Sequence, residues 1–137
     1  MNSSRAWALK SFAVVFFLAV YGVVLASPQQ AFNEDAFKAA KAAGKAVIVE
    51  VHADWCAECK AQNLVLNKLT ADARYAEVVR LRVDYDKQKD LVKAFKARKQ
   101  STLIFFKGEV EVARVTGETN ANRIKALVDK AVPASRI

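Results

Sequence analysis

Two cysteines stand three residues apart in Trp55-Cys56-Ala57-Glu58-Cys59-Lys60, and the 137-residue chain has no others. A β-rich apolar run precedes them and a helical pattern follows, which places the pair at a strand-to-helix junction. On the first turn of a helix, side chains i and i+3 share a face. A disulfide between them is sterically possible, so one short movement separates dithiol from disulfide. The first sulfur meets free N–H groups and the positive end of the helix dipole, both of which favour thiolate over thiol. Cys56 is therefore expected to be the exposed nucleophile with a lowered pKa. Cys59, one turn in, is expected to be shielded and to resolve a mixed disulfide by attacking Cys56.

Such a pair has two other uses, a metal site and a static disulfide. His52 is the only histidine, so a closed four-ligand metal site in a monomer would need carboxylates. A static disulfide across so short a loop adds little chain-entropy stabilisation. The spacing favours a redox-active pair over both.

The elements that must position the pair follow from the hydrophobic periods. Residues 33–43 read as a helix, with Asn33 as cap, Glu34 and Asp35 in the first turn and Gly44 to close it. Residues 46–53 are a largely apolar β-run, as in a central strand. A helix starting near Cys56 carries Leu64, Val65 and Leu69 on one side. Residues 78–83 alternate as a strand, and 90–99 are helical with Leu91, Val92 and Phe95 apolar. Residues 103–106 and 110–115 flank the Gly108-Glu109 turn as a hairpin. Asn120 caps a last helix that ends near Pro133. The order α-β-α-β-α-β-β-α predicts an α/β fold. Its mixed sheet has parallel strands plus a C-terminal antiparallel hairpin, and helices cover both faces.

Residues 1–10 carry Arg5 and Lys10 and no acid, and residues 12–26 carry no charge. Val24 and Ala26 before Ser27 fit a signal peptidase groove. Residues 1–26 are thus expected to be a signal peptide. A retained membrane anchor is the alternative, although a span needs about 20 apolar residues. Either way the remaining residues, 27–137, form a single exported domain, periplasmic and either soluble or tethered to the inner membrane. A membrane is a partner only if the leader is kept.

At 53% hydrophobic and 26% charged, the composition is that of a folded domain. The net charge is +8, but the basic residues are scattered, with one cluster at Lys96-Ala97-Arg98-Lys99. Without a basic stripe interleaved with aromatic platforms, nucleic acid is not an expected partner. A mildly cationic surface can still steer acidic partners.

The stretch VHADWCAECK (51–60), set between a β-run and a helix, resembles the thioredoxin superfamily. Its Ala-Asp-Trp-Cys-x-x-Cys-Lys form is closest to the thioredoxin-like C-terminal domain of bacterial transmembrane thiol:disulfide interchange proteins. The likeness covers nearly all of residues 32–132. It takes in KAVIV (45–49), Val83-Asp84, STLIFFK (101–107) and Val115-Thr116-Gly117. The resemblance implies thiol–disulfide exchange with substrate proteins that bear disulfides, and no bound cofactor; a monomer is expected. It casts Cys56 as the attacking and Cys59 as the resolving cysteine, with Trp55 packed beside them and Lys60 completing the motif. Glu50, six residues before Cys56, matches a buried acid that assists proton transfer to the second cysteine. A carboxyl buried in a strand is expected to have a raised pKa, as a proton shuttle needs; the other reading is a solvated strand-edge carboxylate. His52 alternates with Glu50 and Asp54, so the three are expected on one face. If protonated it favours the Cys56 thiolate; otherwise it is a packed or half-exposed imidazole.

Two departures bear on the site. The family has a cis-proline just before a Thr-Leu strand, and here Ser101 precedes Thr102-Leu103. A cis bond before a non-proline costs about 2.5–4 kcal/mol, so either the loop is trans and reshaped or its surroundings hold it cis. Ser101 could then offer a hydroxyl near Cys56. Secondly, Ala57-Glu58 stands in place of the Gly-Pro of thioredoxin itself. Glu58 opposes a neighbouring thiolate by like charge, raises its pKa and weakens the oxidising tendency. The expectation is an exported reductant or exchanger, supplied with electrons by a membrane-borne donor. A thiol-based metal-binding or delivery protein and a non-catalytic binding module of the same fold are the alternatives.

Overall fold

The computed structural model describes residues 28–133, so the expected leader and cleavage site lie outside the described residues. Five strands form one sheet in the order β1-β3-β2-β4-β5. The strands are β1 (Gln30–Ala31), β2 (Ala46–His52), β3 (Val79–Asp84), β4 (Thr102–Lys107) and β5 (Val110–Thr116). β2 runs parallel to β3 and antiparallel to β4, and β4 and β5 form the closing hairpin. The mixed sheet is as expected from the element order. β1 is the addition: two residues parallel to β3, too short to leave a periodic signal.

Among the described residues the α-helices are α1 (Glu34–Ala42), α2 (Ala57–Thr70), α3 (Lys89–Ala94) and α4 (Ala121–Ala131), with a short 3-10 turn at Ala73–Tyr75. Asn33 and Asn120 cap α1 and α4, each side chain accepting a backbone N–H from three residues on. Gly44, at φ +70°, lets the chain leave α1 in the left-handed conformation that closes its last turn. Residues 90–99 are helical only as far as Ala94. Lys96 turns to φ +53°, which ends the ladder five residues earlier than the apolar spacing suggests.

Alternation along β2 divides the core into two layers. Val47, Val49 and Val51 meet Phe37 of α1 and Val92 of α3 on one face. Ala46 and Ile48 meet Leu66 of α2 and Ile124 and Val128 of α4 on the other. β2 is thus covered on both sides, as its apolar run requires. Its C-terminal end points the chain into α2.

Candidate active site

α2 begins on Cys56. The residue is extended, at φ −85° and ψ 113°, and its sulfur caps the helix by accepting the Cys59 N–H at 3.1 Å. The predicted junction is therefore where the cysteines sit. They are joined as a disulfide, with Cα atoms 5.3 Å apart, and Cys59 Sγ lies 3.9 Å from the Val51 carbonyl oxygen. Burial differs from the expectation. Cys56 is 1% exposed and Cys59 3%, so the nucleophile is not the exposed member of an exposed–shielded pair. The turn before α2 accounts for this: the Cys56 N–H donates to Ala53 O at 3.1 Å, and both cysteines pack with Ala53 against Tyr85. The outward position goes to Trp55, 62% exposed, whose indole N–H donates to Asp86 Oδ2 at 2.8 Å. Trp55 is thus tethered towards the segment after β3.

Glu58 Oε2 lies 3.7 Å from Cys56 Sγ. A carboxylate so close works against negative charge on that sulfur, while the Cys59 N–H works for it. Lys60 is exposed on the next turn, its backbone N–H donating to Cys56 O at 3.2 Å.

Glu50 is buried on β2, facing α2, but it is not a lone acid. Arg80 of β3, 1% exposed, donates Nε to Glu50 Oε1 at 2.6 Å and Nη2 to Oε2 at 3.2 Å. Its Nη1 and Nη2 continue to Asn67 Oδ1 at 2.6 Å and Asn63 Oδ1 at 2.9 Å on α2. Gln29 Nε2 also donates to Glu50 Oε2. Of the two readings open from sequence, a buried carboxyl and a solvated strand-edge one, the carboxyl is buried, and it is ion-paired with a guanidinium fork. Arg80 is the residue that sequence reasoning missed. A signal was present, since an acid inside an apolar β-run calls for a buried cation. Arg80 occupies an alternate position of the neighbouring strand.

His52 lies at the end of β2, Nε2 3.4 Å from Asp54 Oδ1, with Asp54 already beyond the strand. Burial, then the positive charge of Arg82, hold the imidazole below its ordinary 6.5, against the pull of Asp54. The folded chain therefore resists protonation of His52 more than the unfolded chain does. Stability is expected to be full above pH 6.5 and to fall as pH drops from there through the lowered folded value. Urea unfolding across pH 5–7.5 checks this: His52→Gln should flatten that part of the profile, and an unchanged slope would assign it to other groups.

Ser101 is trans, since the described residues contain no cis peptide bond, and it sits at φ +56°. This settles the choice left open by the missing proline: the loop is reshaped. A proline ring locks φ near −65° and cannot adopt this backbone. The Ser101 hydroxyl donates to Gln100 O at 2.6 Å, so its hydrogen is committed away from the sulfurs. The Ser101 carbonyl accepts from Gly117 N at 2.9 Å and from Gln62 Nε2 at 3.0 Å. Gln62, buried on α2 and also missed from sequence, thereby ties the helix of the cysteines to the loop opposite. Thr102 is buried, its hydroxyl bonded to Lys99 O at 2.8 Å and Thr116 Oγ1 at 2.9 Å. A left-handed residue with a Cβ costs about 1–2 kcal/mol. Ser101→Gly is expected to recover roughly 1 kcal/mol of that in urea unfolding, the rest being offset by glycine's unfolded-state entropy. Destabilisation instead would mean that the Gln100 hydrogen bond outweighs the strain.

Among the described residues, no group of three or more His, Cys, Asp and Glu side chains is placed to hold a metal ion. The arrangement supplies the opening and closing of the Cys56–Cys59 bond, with an N–H and a carboxylate acting on Cys56 in opposite senses.

The thioredoxin family model matches residues 25–130. Thioredoxin of Chlamydia muridarum is 32% identical over 101 residues, covering 74% of this chain and 96% of that one. Thioredoxin-2 of Saccharomyces cerevisiae is 33% identical over 77 residues, 56% of this chain and 72% of its own. Among solved structures, Trxlp of Edwardsiella tarda EIB202 superposes with a TM-score of 0.70 at 34% identity, over 74% of this chain and 98% of that one. With the family model spanning most of the chain and the paired cysteines at the expected helix start, this chain belongs to the thioredoxin family and is a thiol–disulfide oxidoreductase.

Proposed function

We propose that this oxidoreductase works outside the cytoplasm as a reductant or exchanger of disulfides in substrate proteins. Cys56 attacks the substrate disulfide; one substrate sulfur leaves as a thiolate and takes a proton, and Cys56 is left in a mixed disulfide. Cys59 then gives up its proton and attacks Cys56. The second substrate sulfur leaves as a thiolate and takes the proton that Cys59 gave up, so the substrate has gained two electrons and two protons and the cysteine pair is oxidised to the Cys56–Cys59 disulfide. The observation that carries the reducing direction is Glu58 Oε2 at 3.7 Å from Cys56 Sγ. A carboxylate there destabilises the thiolate that would make a dithiol a poor electron donor.

The exported setting rests on residues 1–26, with Arg5 and Lys10 ahead of the uncharged run and Val24 and Ala26 before Ser27. In that setting a monomeric domain needs a membrane-borne dithiol donor to restore it. The Ala-Asp-Trp-Cys-x-x-Cys-Lys form supports kinship with the C-terminal domain of the transmembrane interchange proteins.

The test is capture in the native host with Cys59→Ser, combined with the potential of the wild-type pair. Mixed disulfides are expected on Cys56 with exported proteins; cytoplasmic partners alone would overturn the setting. The potential is expected nearer to about −270 mV than to about −120 mV. A value at the oxidising end would reverse the direction.

A further inference from the structure

Resting on that reading, we infer that the exposed basic ridge of Lys93, Lys96, Arg98 and Lys99 docks an acidic polypeptide segment beside the substrate disulfide. Residues 87–99 carry six basic side chains against the single acid Asp90. Two of the six are engaged locally, Lys87 with Asp84 at 3.7 Å and Lys89 with Asp86 at 3.9 Å. Lys93, Arg98 and Lys99 are exposed and make no ion pair among the described residues. Lys96 is exposed too. It lies in the field of Glu111, but that carboxylate is already held by Arg114 at 2.6 and 2.9 Å. The ridge therefore presents cations that the described residues leave unneutralised.

Its place in the fold joins it to the dithiol. Two residues after Lys99 comes Ser101, whose carbonyl is bonded to Gln62 on the helix that carries both cysteines. Thr102 pairs with Val51, the residue whose carbonyl lies 3.9 Å from Cys59 Sγ. The ridge therefore leads directly into the loop that these bonds tie to the cysteine helix, and flanking residues of a substrate disulfide at Cys56 would run along it.

The ridge is also held in shape. Arg114 Nη1 donates to Phe95 O at 3.1 Å, and Thr102 Oγ1 donates to Lys99 O at 2.8 Å. Two non-glycine residues at positive φ, Lys96 within the ridge and Ser101 just after it, flank Arg98 and Lys99. Such conformations cost free energy and persist where the surroundings fix them. A fixed segment loses little entropy on docking. The field also has direction. β3 and β4 lie on opposite sides of β2. Asp86 follows β3, while the ridge leads into β4. Asp54, Glu58 and Asp86 are exposed near Trp55. The partner that fits carries its acids on the side of its disulfide that faces the β4 loop.

The test uses the reduced full chain and two synthetic peptides with the same disulfide ring, one flanked by glutamates and one by lysines. At low ionic strength the acidic peptide is expected to be reduced about tenfold faster, by steering. The ratio should shrink towards unity near 1 M salt, where the screening length is about 3 Å. Lys96→Glu, Arg98→Glu and Lys99→Glu together should invert it, and Arg98→Gln alone should lower it. Both peptides are read on one preparation, so partial unfolding of a variant cancels in the ratio. Equal rates for wild type at low salt, or a ratio untouched by the triple charge reversal, overturn the inference while leaving the oxidoreductase in place. A wild type that reduces neither peptide overturns the reducing function itself. Binding to phosphatidylglycerol vesicles with no preference between the peptides overturns it in favour of a membrane surface.

Discussion

Cys56→Ser is expected to bring catalysed reduction of insulin by this chain, with dithiothreitol as donor, down to the uncatalysed background. A hydroxyl has no thiolate to offer and forms no mixed disulfide. The loss should be chemical and not a failure to fold. Cys56 Sγ accepts the Cys59 N–H at 3.1 Å as the cap of α2, and serine is among the better N-cap residues. The missing cross-link closes so few residues that the loop-entropy relation gives only about 2 kcal/mol. Far-UV circular dichroism of the variant should therefore match the wild type. Retained insulin reduction in a folded Cys56→Ser chain would remove the dithiol from the mechanism.

Arg80→Met should give the largest stability loss of any single change near the site. Removing one partner of a buried ion pair typically costs about 3–5 kcal/mol, because the remaining charge stays buried without compensation. Here Glu50, Asn63 and Asn67 all lose a donor at once. Replacing both members, Glu50→Leu with Arg80→Met, should restore much of the loss, since an apolar pair needs no partner. Urea unfolding of the two single variants and the double variant measures the coupling. Additive losses would mean that Glu50 and Arg80 stabilise the fold independently. The cycle also separates the two uses considered for Glu50. If the pair is structural, Glu50→Gln changes unfolding midpoints; if Glu50 takes the Cys59 proton, it slows release of the mixed disulfide at pH values where stability is intact.

How much of this was legible in the residues depended on whether the signal was local. The junction at Cys56 could be placed because a β-run changes to a helical period within a few residues, and a capping sulfur is a local matter. The asparagine caps and the glycine after α1 were legible for the same reason. The sheet class followed from the alternation of elements. Arg80 was not, because VVRLRV alternates equally well whether its arginines face water or Glu50; only the packing of β2 and β3 against α2 decides. The burial of Cys56 depends on Tyr85, which comes from a different strand-to-helix connection. The end of α3 was missed because an apolar spacing continues to Phe95, while a left-handed Lys96 gives no compositional warning. The conformation of Ser101 was open for the same reason: it follows from bonds to Gln62 and Gly117, far away in sequence.

The two rims of the sheet are built unequally. β1 offers a rung of only two residues beside β3, whereas β5 runs its full seven residues with one side of its backbone facing outward. Such a rim is a template on which a stray chain can add itself as one more strand. On β5 the newcomer would have to cover the Glu111–Arg114 fork and lie alongside Glu109 as well as the exposed Val110. Burying that locked pair of opposite charges costs more than the apolar contact of Val110 returns. The fork thereby acts as a guard against fibre-like growth along this rim.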